Sequence, residues 1–256
     1  MKIAIVTGAS SGLGRQFVLR LDQKEELDEI WVIARREERL LALQKDCRTT
    51  LRPIPKDLTQ KSAVRDIQAL LDDLDPEVHW LFNCAGFGKI GPSREMNLAD
   101  TEDMIDLNCR AAAALCELVI PHMKKPAHIV NICSIAAFQP LPYLNTYAAT
   151  KSFLLKYSRA LGFELLGRGI RVTAVCPYWV KDTEFIRIAQ RTGNASYIRH
   201  FPFAAQEKYV ASRAFRDAAL GLPVSCPSLL SWQQRLLGGL LPDSLTMAAW
   251  NLLRRL

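Results

Sequence analysis

What this chain lacks narrows its class before any motif is read. None of its apolar runs approaches the 18 or so uninterrupted residues that a membrane-spanning helix needs. Its seven cysteines (Cys47, Cys84, Cys109, Cys116, Cys133, Cys176, Cys226) are scattered, odd in number and never spaced Cys-x-x-Cys. Metal ligation or a disulfide framework needs clustering that is missing here, so they read as small hydrophobes in a reducing compartment. Lys and Arg exceed Asp and Glu by 33 to 26, a formal charge of +7, yet no basic tail or block concentrates them. A nucleic-acid surface is therefore not expected. Only about four apolar residues precede the first turn, too few for a secretory h-region, and a small-residue cleavage site is missing. The expectation is a cytoplasmic protein. No repeat or low-complexity linker interrupts the 256 residues, a length that fits one α/β domain.

What is present is an alternation of apolar runs and helical patterns. Strands are predicted at Ile3–Val6, Ile30–Ala34, Leu51–Ile54, Trp80–Asn83, Ile129–Cys133, Val172–Cys176 and, more weakly patterned, Pro223–Cys226. Helical periodicity falls at Gly14–Leu21, Ser62–Leu71, Asp103–Met123 and Tyr147–Leu166. Continuous apolar strands separated by helices predict a parallel sheet covered on both faces. The chain reads as a single domain over 1–256, with 227–256 as an amphipathic C-terminal extension.

The first strand runs into Thr7-Gly8-Ala9-Ser10-Ser11-Gly12-Leu13-Gly14 and then a helix. Glycines at 8, 12 and 14 permit a tight turn and close backbone approach to a pyrophosphate, and the helix N-terminus adds free N–H groups. By itself such a turn can be only a turn; its place between first strand and first helix points to a dinucleotide. The second strand ends at Ala34, where an NAD site usually carries Asp or Glu for the ribose 2′-hydroxyl. Arg35 and Arg36 follow. A guanidinium there can pair with a 2′-phosphate, so NADP(H) is the cofactor expected, and the positive net charge favours it too. The plainer reading of the same pair is the start of a solvated charged helix, Arg-Arg-Glu-Glu-Arg.

Strand Ile129–Cys133 leads into Ser134, and Tyr147-Ala148-Ala149-Thr150-Lys151 comes thirteen residues after that serine. Positions i and i+4 share a helix face, which sets Lys151 near Tyr147. A phenol titrates near pH 10, too high for a base at neutral pH. A neighbouring ammonium and a nicotinamide cation favour the phenolate. Lowering the pKa by about three units takes on the order of 4 kcal/mol. Ser134 can hydrogen-bond the substrate oxygen as charge develops.

Together these motifs, with Asp57-Leu58-Thr59, Asn83-Cys84-Ala85-Gly86 and Asn108, resemble the short-chain dehydrogenase/reductase family, from Met1 to about Phe185. The resemblance implies a Rossmann-type, doubly wound, seven-stranded parallel sheet and hydride transfer between a nicotinamide and a carbonyl or alcohol. It implies Tyr147 as proton donor in reduction, Ser134 as the group orienting the carbonyl, and Lys151 as holder of the nicotinamide ribose. Asn108 would maintain a water-linked proton relay to Lys151. Gly8, Ser10, Ser11, Gly12, Leu13, Gly14, Arg35, Arg36, Asp57, Leu58, Asn83, Ala85, Gly86, Pro177, Val180 and Thr183 would join Tyr147 and Lys151 around the cofactor. A homodimer or homotetramer is implied as well. Without the resemblance, Asn108 is an ordinary helix residue and Asp57 a turn carboxylate.

Two departures stand out. The family usually has Pro-Gly after the sixth strand and a threonine five residues past the proline; here Pro177 is followed by Tyr178, and Thr183 lies one residue further on. Beyond Pro227, Leu229, Trp232, Leu236 and Leu240 repeat at helical spacing, and after Pro242-Asp243-Ser244 a second run carries Leu245, Ala248, Ala249, Leu252 and Leu253. This tail resembles that of members with an extended apolar C-terminus. It suits a cap on the active site or a subunit interface ahead of a membrane-surface contact. The expected substrate wall comprises Phe87, Ile135, Ala136, Leu144, Tyr178 and Trp179, with Phe185, Ile186, Tyr197, Phe201 and Phe203 nearby. An apolar wall favours a lipophilic ketone or alcohol, of steroid or acyl type. The alternatives are a non-catalytic NADP(H)-binding regulator on the same fold and an epimerase or dehydratase, though the latter usually has a longer C-terminal substrate domain.

Overall fold

A computed structural model describes residues 1–190, 197–198 and 203–254. Seven strands form one parallel sheet: β1 (Lys2–Thr7), β2 (Glu29–Ala34), β3 (Thr50–Pro55), β4 (Glu77–Asn83), β5 (Ala127–Ile132), β6 (Ile170–Val175) and β9 (Val224–Ser225). Their spatial order is β3-β2-β1-β4-β5-β6-β9. A separate two-stranded parallel ribbon pairs β7 (Val180–Lys181) with β8 (Ala205–Gln206). The predicted strand positions match to within a few residues; this ribbon was not anticipated.

The helices are α1 (Gly12–Lys24), α2 (Glu37–Leu43), α3 (Lys61–Leu74), α4 (Leu98–Ile105), α5 (Ala112–Val119), α6 (Asn145–Glu164), α7 (Phe185–Ala189), α8 (Glu207–Ala219), α9 (Leu229–Leu240) and α10 (Asp243–Leu253). The central strand explains the two covered faces. Ile3 and Ile5 join a core with Ile67 and Leu71 of α3 and Leu115 and Val119 of α5. Ala4 and Val6 point the other way, into a core with Phe17 and Leu21 of α1 and Ala214 and Phe215 of α8. Both sets are buried, so β1 reads as an unbroken apolar run. Each buried Ile, Val, Leu or Phe among them contributes about 1.5–3 kcal/mol relative to exposure. Pro53 and Pro55 sit in β3, an edge strand that tolerates residues without an N–H.

Two predicted helices come out differently. The run expected over Asp103–Met123 starts at Leu98, capped by the Asn97 side chain accepting from the Ala99 N–H. It widens into a π-turn at Asp106–Ala111 and gives way to a single 3₁₀ turn at Ile120–His122, where Pro121 ends the α-helical pattern. In the C-terminal extension both helices form, and the apolar stripe does not cap the active site but faces outward in the single chain: Leu229, Trp232, Leu236, Leu240, Leu245 and Leu252 are all exposed. Contact with the body runs instead through Gly238, which lies against Phe138, and Trp250, whose indole donates to the Pro142 carbonyl at 2.9 Å. A glycine lets the α9 backbone approach where a leucine stripe cannot. Among the described residues, no helix is long and apolar enough to cross a membrane.

Candidate active site

In the sheet order, β1 and β4 lie side by side while β2 and β5 extend away from them in opposite directions. A crevice opens at such a reversal, beyond the carboxyl ends of the strands. The segments after β1, β2, β4, β5 and β6 all end there, around a cleft of about 770 Å³.

The turn after β1 is built for close approach. Gly8 and Gly12 have φ of +65° and +54°, in the left-handed region that favours glycine. A Cβ on Gly14 would fall 2.3 Å from the Gly8 carbonyl oxygen, and one on Gly8 2.9 Å from the Ala85 nitrogen. Thr7 fastens the neighbouring turn, its hydroxyl accepting from the Cys84 and Ala85 N–H groups at 3.0 Å each. The first turn of α1 carries no acidic side chain. Bare backbone and the N–H groups of a first turn without its own carboxylates form a cradle that fits a pyrophosphate.

Beside it, the Arg36 guanidinium donates to Ser10 and Ser11 across the turn and to Glu184. The Arg35 side chain is largely exposed, 4.0 Å from the Asp57 carboxylate. Asp57 accepts from the N–H and hydroxyl of Thr59. Gly8, Ser10, Ser11, Gly12, Leu13, Gly14, Arg35, Arg36, Asp57, Leu58, Ala85, Gly86, Pro177, Val180 and Thr183 all line the cleft. Asn83 does not: it is buried, and its amide donates to Asn131 at 2.9 Å and to the Ala112 carbonyl at 3.2 Å. It ties β4 to β5 and α5. Thr183 sits over the glycine turn, its methyl 3.3 Å from where a Gly12 Cβ would be, and its hydroxyl donates to the Val180 carbonyl.

At the inner end stand Ser134, Tyr147 and Lys151. Extended backbone at Ser134 ends the β5 segment and leaves its hydroxyl accepting from the Ala136 N–H at 3.2 Å, on the same cleft wall as the Tyr147 phenol. Burial pushes Tyr147 well above the ordinary phenol value, and Ser134 only partly offsets this. Lys151 is buried too, and burial pulls its pKa down. Its ammonium donates to the Ile132 carbonyl at 2.7 Å and lies 5.8 Å from the centre of the tyrosine ring. With Lys151 bonded to a carbonyl, desolvation of the phenolate is the larger effect on Tyr147 in this arrangement.

Asn108 occupies the π-turn, a common device for aiming a functional residue. Its amide oxygen accepts from the Phe87 N–H at 3.1 Å, and its nitrogen donates to the Phe87 carbonyl and to Thr150. Gly86 is wedged between Asn108 and Lys151: a Cβ there would lie 2.8 Å from the amide oxygen and 3.3 Å from the ammonium. Asn108 thus holds the loop after β4 in place, next to Lys151 rather than bonded to it.

A family model described as short chain dehydrogenase matches residues 2–192. The chain belongs to the short chain dehydrogenase family. This dehydrogenase is 32% identical over 186 residues to the NADP-dependent 3-hydroxy acid dehydrogenase YdfG of Salmonella typhi, covering 72% of this chain and 74% of that protein. It is 31% identical over 231 residues to sulfoacetaldehyde reductase 2 of Chromohalobacter salexigens, covering 85% and 88%. A solved short-chain dehydrogenase from Sphingobium yanoikuyae, in complex with NADPH, has a TM-score of 0.79 at 25% identity, over 100% of this chain and 96% of that one.

The remaining lining of the dehydrogenase's cleft includes Phe87, Ile135, Ala136, Leu144, Tyr178 and Trp179. Phe185 belongs with them, its ring 5.4 Å from that of Tyr147. Tyr197 instead stacks on Tyr143 and bonds Glu95, and Phe203 is exposed. Phe201 lies outside the described residues. Sequence reasoning missed Glu184, Gly88, Leu141 and Trp250. Gly88 gives Tyr147 its room, for a Cβ there would fall 2.8 Å from the tyrosine ring. Trp250 comes from α10, far along the chain, and the signal that could have found it is an aromatic at helical spacing from Leu253 and Arg254, which also line the cleft.

Proposed function

We propose that this dehydrogenase uses NADP(H) to interconvert a lipophilic carbonyl compound and its alcohol, with Tyr147 giving the proton in the reducing direction. The observation that carries the reading is the buried Tyr147 side chain facing an apolar wall that includes Leu141, Leu144, Trp179, Phe185 and Trp250. The solved NADPH complex and the NADP-dependent relative support the choice of cofactor. The glycine cradle would hold the pyrophosphate, Arg35, Arg36 and Ser10 the 2′-phosphate, and Lys151 the nicotinamide ribose. When bound, the dinucleotide supplies or accepts the hydride.

The chain's own residues do the rest. Ser134 orients the carbonyl oxygen by hydrogen bond, and Tyr147 protonates that oxygen as negative charge gathers on it. Lys151, fixed by the Ile132 carbonyl, keeps a positive charge close by without taking the proton. The apolar side chains Leu141, Leu144, Trp179, Phe185 and Trp250 exclude water beside Tyr147 and favour a lipophilic substrate there.

The deciding assay is NADPH oxidation with a panel of steroids, long acyl ketones and small ketones, together with a 3-oxo acid and sulfoacetaldehyde. The bulky apolar ketones should exceed the small and anionic compounds by at least about tenfold in kcat/KM. Preference for the 3-oxo acid or sulfoacetaldehyde would overturn the lipophilic reading. Tight NADPH binding without turnover of any compound would favour a non-catalytic regulator.

A further inference from the structure

Glu184 has no part in the proton chemistry, yet it is among the most heavily bonded side chains in the cleft. It immediately precedes α7, and its carboxylate crosses to the arginine after β2. Arg36 holds it in a bidentate pair, Nη2 to Oε2 at 2.7 Å and Nη1 to Oε1 at 3.1 Å. Arg39 and Arg187 each donate to Oε1 at 3.2 Å, and the Ser11 hydroxyl to Oε2 at 3.3 Å. Guanidiniums and a hydroxyl converging on one anion are the donor set that a phosphate monoester takes.

We propose that Glu184 is an internal anion occupying the 2′-phosphate site at Arg36, and that NADP(H) binding hands Arg36 from this carboxylate to the phosphate. The inference rests on the reading of Arg36 as a 2′-phosphate ligand. Both terminal nitrogens of Arg36 are engaged, by Glu184 and by Ser10 and Ser11. A phosphate using the same donors must displace the carboxylate, because two anions on one guanidinium repel each other. Arg36 and the other arginines hold the Glu184 pKa down to about 2, so protonation does not release it at working pH. Only a competing anion does.

The exchange reaches the substrate side. Thr183, the preceding residue, lies over Gly12, and Phe185, the following one, packs on the Tyr147 ring. One short segment thus closes over the glycine turn, pairs with the cofactor-reading arginine and walls the reacting centre. NADH, which has no 2′-phosphate, leaves the Glu184–Arg36 pair in place.

The test is the dissociation constants of NADPH, NADH and adenosine 2′,5′-bisphosphate, measured by calorimetry on the full chain and on E184Q, E184A, R36A and the R36A/E184Q double variant. Removing the competitor restores the competent fraction. E184Q and E184A should therefore bind NADPH and the bisphosphate about three- to tenfold more tightly, with NADH changed less than about twofold. R36A should lose about tenfold or more of the preference for NADPH, and E184Q should then add nothing, as required of residues acting through one contact. Looser or unchanged NADPH binding in E184Q and E184A, or equal shifts for both dinucleotides, would overturn the hand-off. If R36A keeps its preference for NADPH, the reading of Arg36 fails; if R36A loses it while E184Q gains nothing, only the role of Glu184 fails.

Discussion

Tyr147 meets its surroundings at a few atoms, and single substitutions test each of them. Tyr147→Phe keeps the ring against Phe185 but removes the proton. Turnover should fall by about 10²–10⁴-fold while NADPH binding stays within about twofold in a direct titration; wild-type turnover would exclude Tyr147 as the acid. Because burial raises the phenol pKa, the protonated form persists through neutral pH and the phenolate grows with each unit upward. Carbonyl reduction should therefore be nearly flat between about pH 6 and 8, and alcohol oxidation should climb towards pH 9 and beyond. Initial rates in both directions check the sign, and oxidation that peaks near neutrality would mean a lowered tyrosine. These residues were legible because Ser134, Tyr147 and Lys151 lie at fixed offsets around one helix start. The burial of Tyr147 and the Lys151–Ile132 bond were not, because both depend on what packs above the pair.

At the scale of elements, the turn of helix between α4 and α5 shows what periodicity leaves out. The apolar pattern over 103–123 suggests one continuous helix, since an extra residue in a wide turn leaves composition unchanged. The π-turn nonetheless decides where Asn108 points and hence where Phe87 and Gly86 sit. Asn108→Ala leaves the Phe87 N–H and carbonyl without those partners, and should cost on the order of 2 kcal/mol. A fall in Tm of several degrees together with a drop in kcat checks this; a loss in only one would separate loop support from chemistry. Strand β5 carries a second test. His128 stacks on Trp80 with ring centres 4.0 Å apart, and burial, with Arg171 adding to it, pulls its pKa from 6.5 to about 4. A group whose folded pKa is depressed contributes stability above its unfolded pKa and loses it as pH falls through the folded one. Part of the decline in Tm between pH 6.5 and 4 is thus assigned to His128, and His128→Phe should flatten the curve in that window. An unchanged slope would assign the decline to carboxylates alone.

Across the whole molecule, the cleft joins residues from nearly every part of the chain, from Gly8 to Arg254. The last helix takes part through Trp250, so Trp250→Ala should raise KM for bulky ketones by about tenfold while leaving NADPH affinity and small-ketone turnover nearly unchanged. Loss of all three together would mean that the tryptophan supports the fold rather than the wall. The sequence by itself determined the alternating architecture, the glycine turn and the spacing of Ser134, Tyr147 and Lys151. A parallel strand buried on both faces needs a continuous apolar run, and a tight turn near a phosphate needs glycine; both demands act on neighbouring residues. Only the tertiary structure decided that Asn83 turns inward, that Arg36 holds Glu184, that Lys151 binds a carbonyl rather than the phenol, and that the extension packs by Gly238 and Trp250 instead of its leucine stripe. Each of these pairs groups far apart in the chain, where burial and competition for hydrogen-bond donors set the outcome and no local pattern records it.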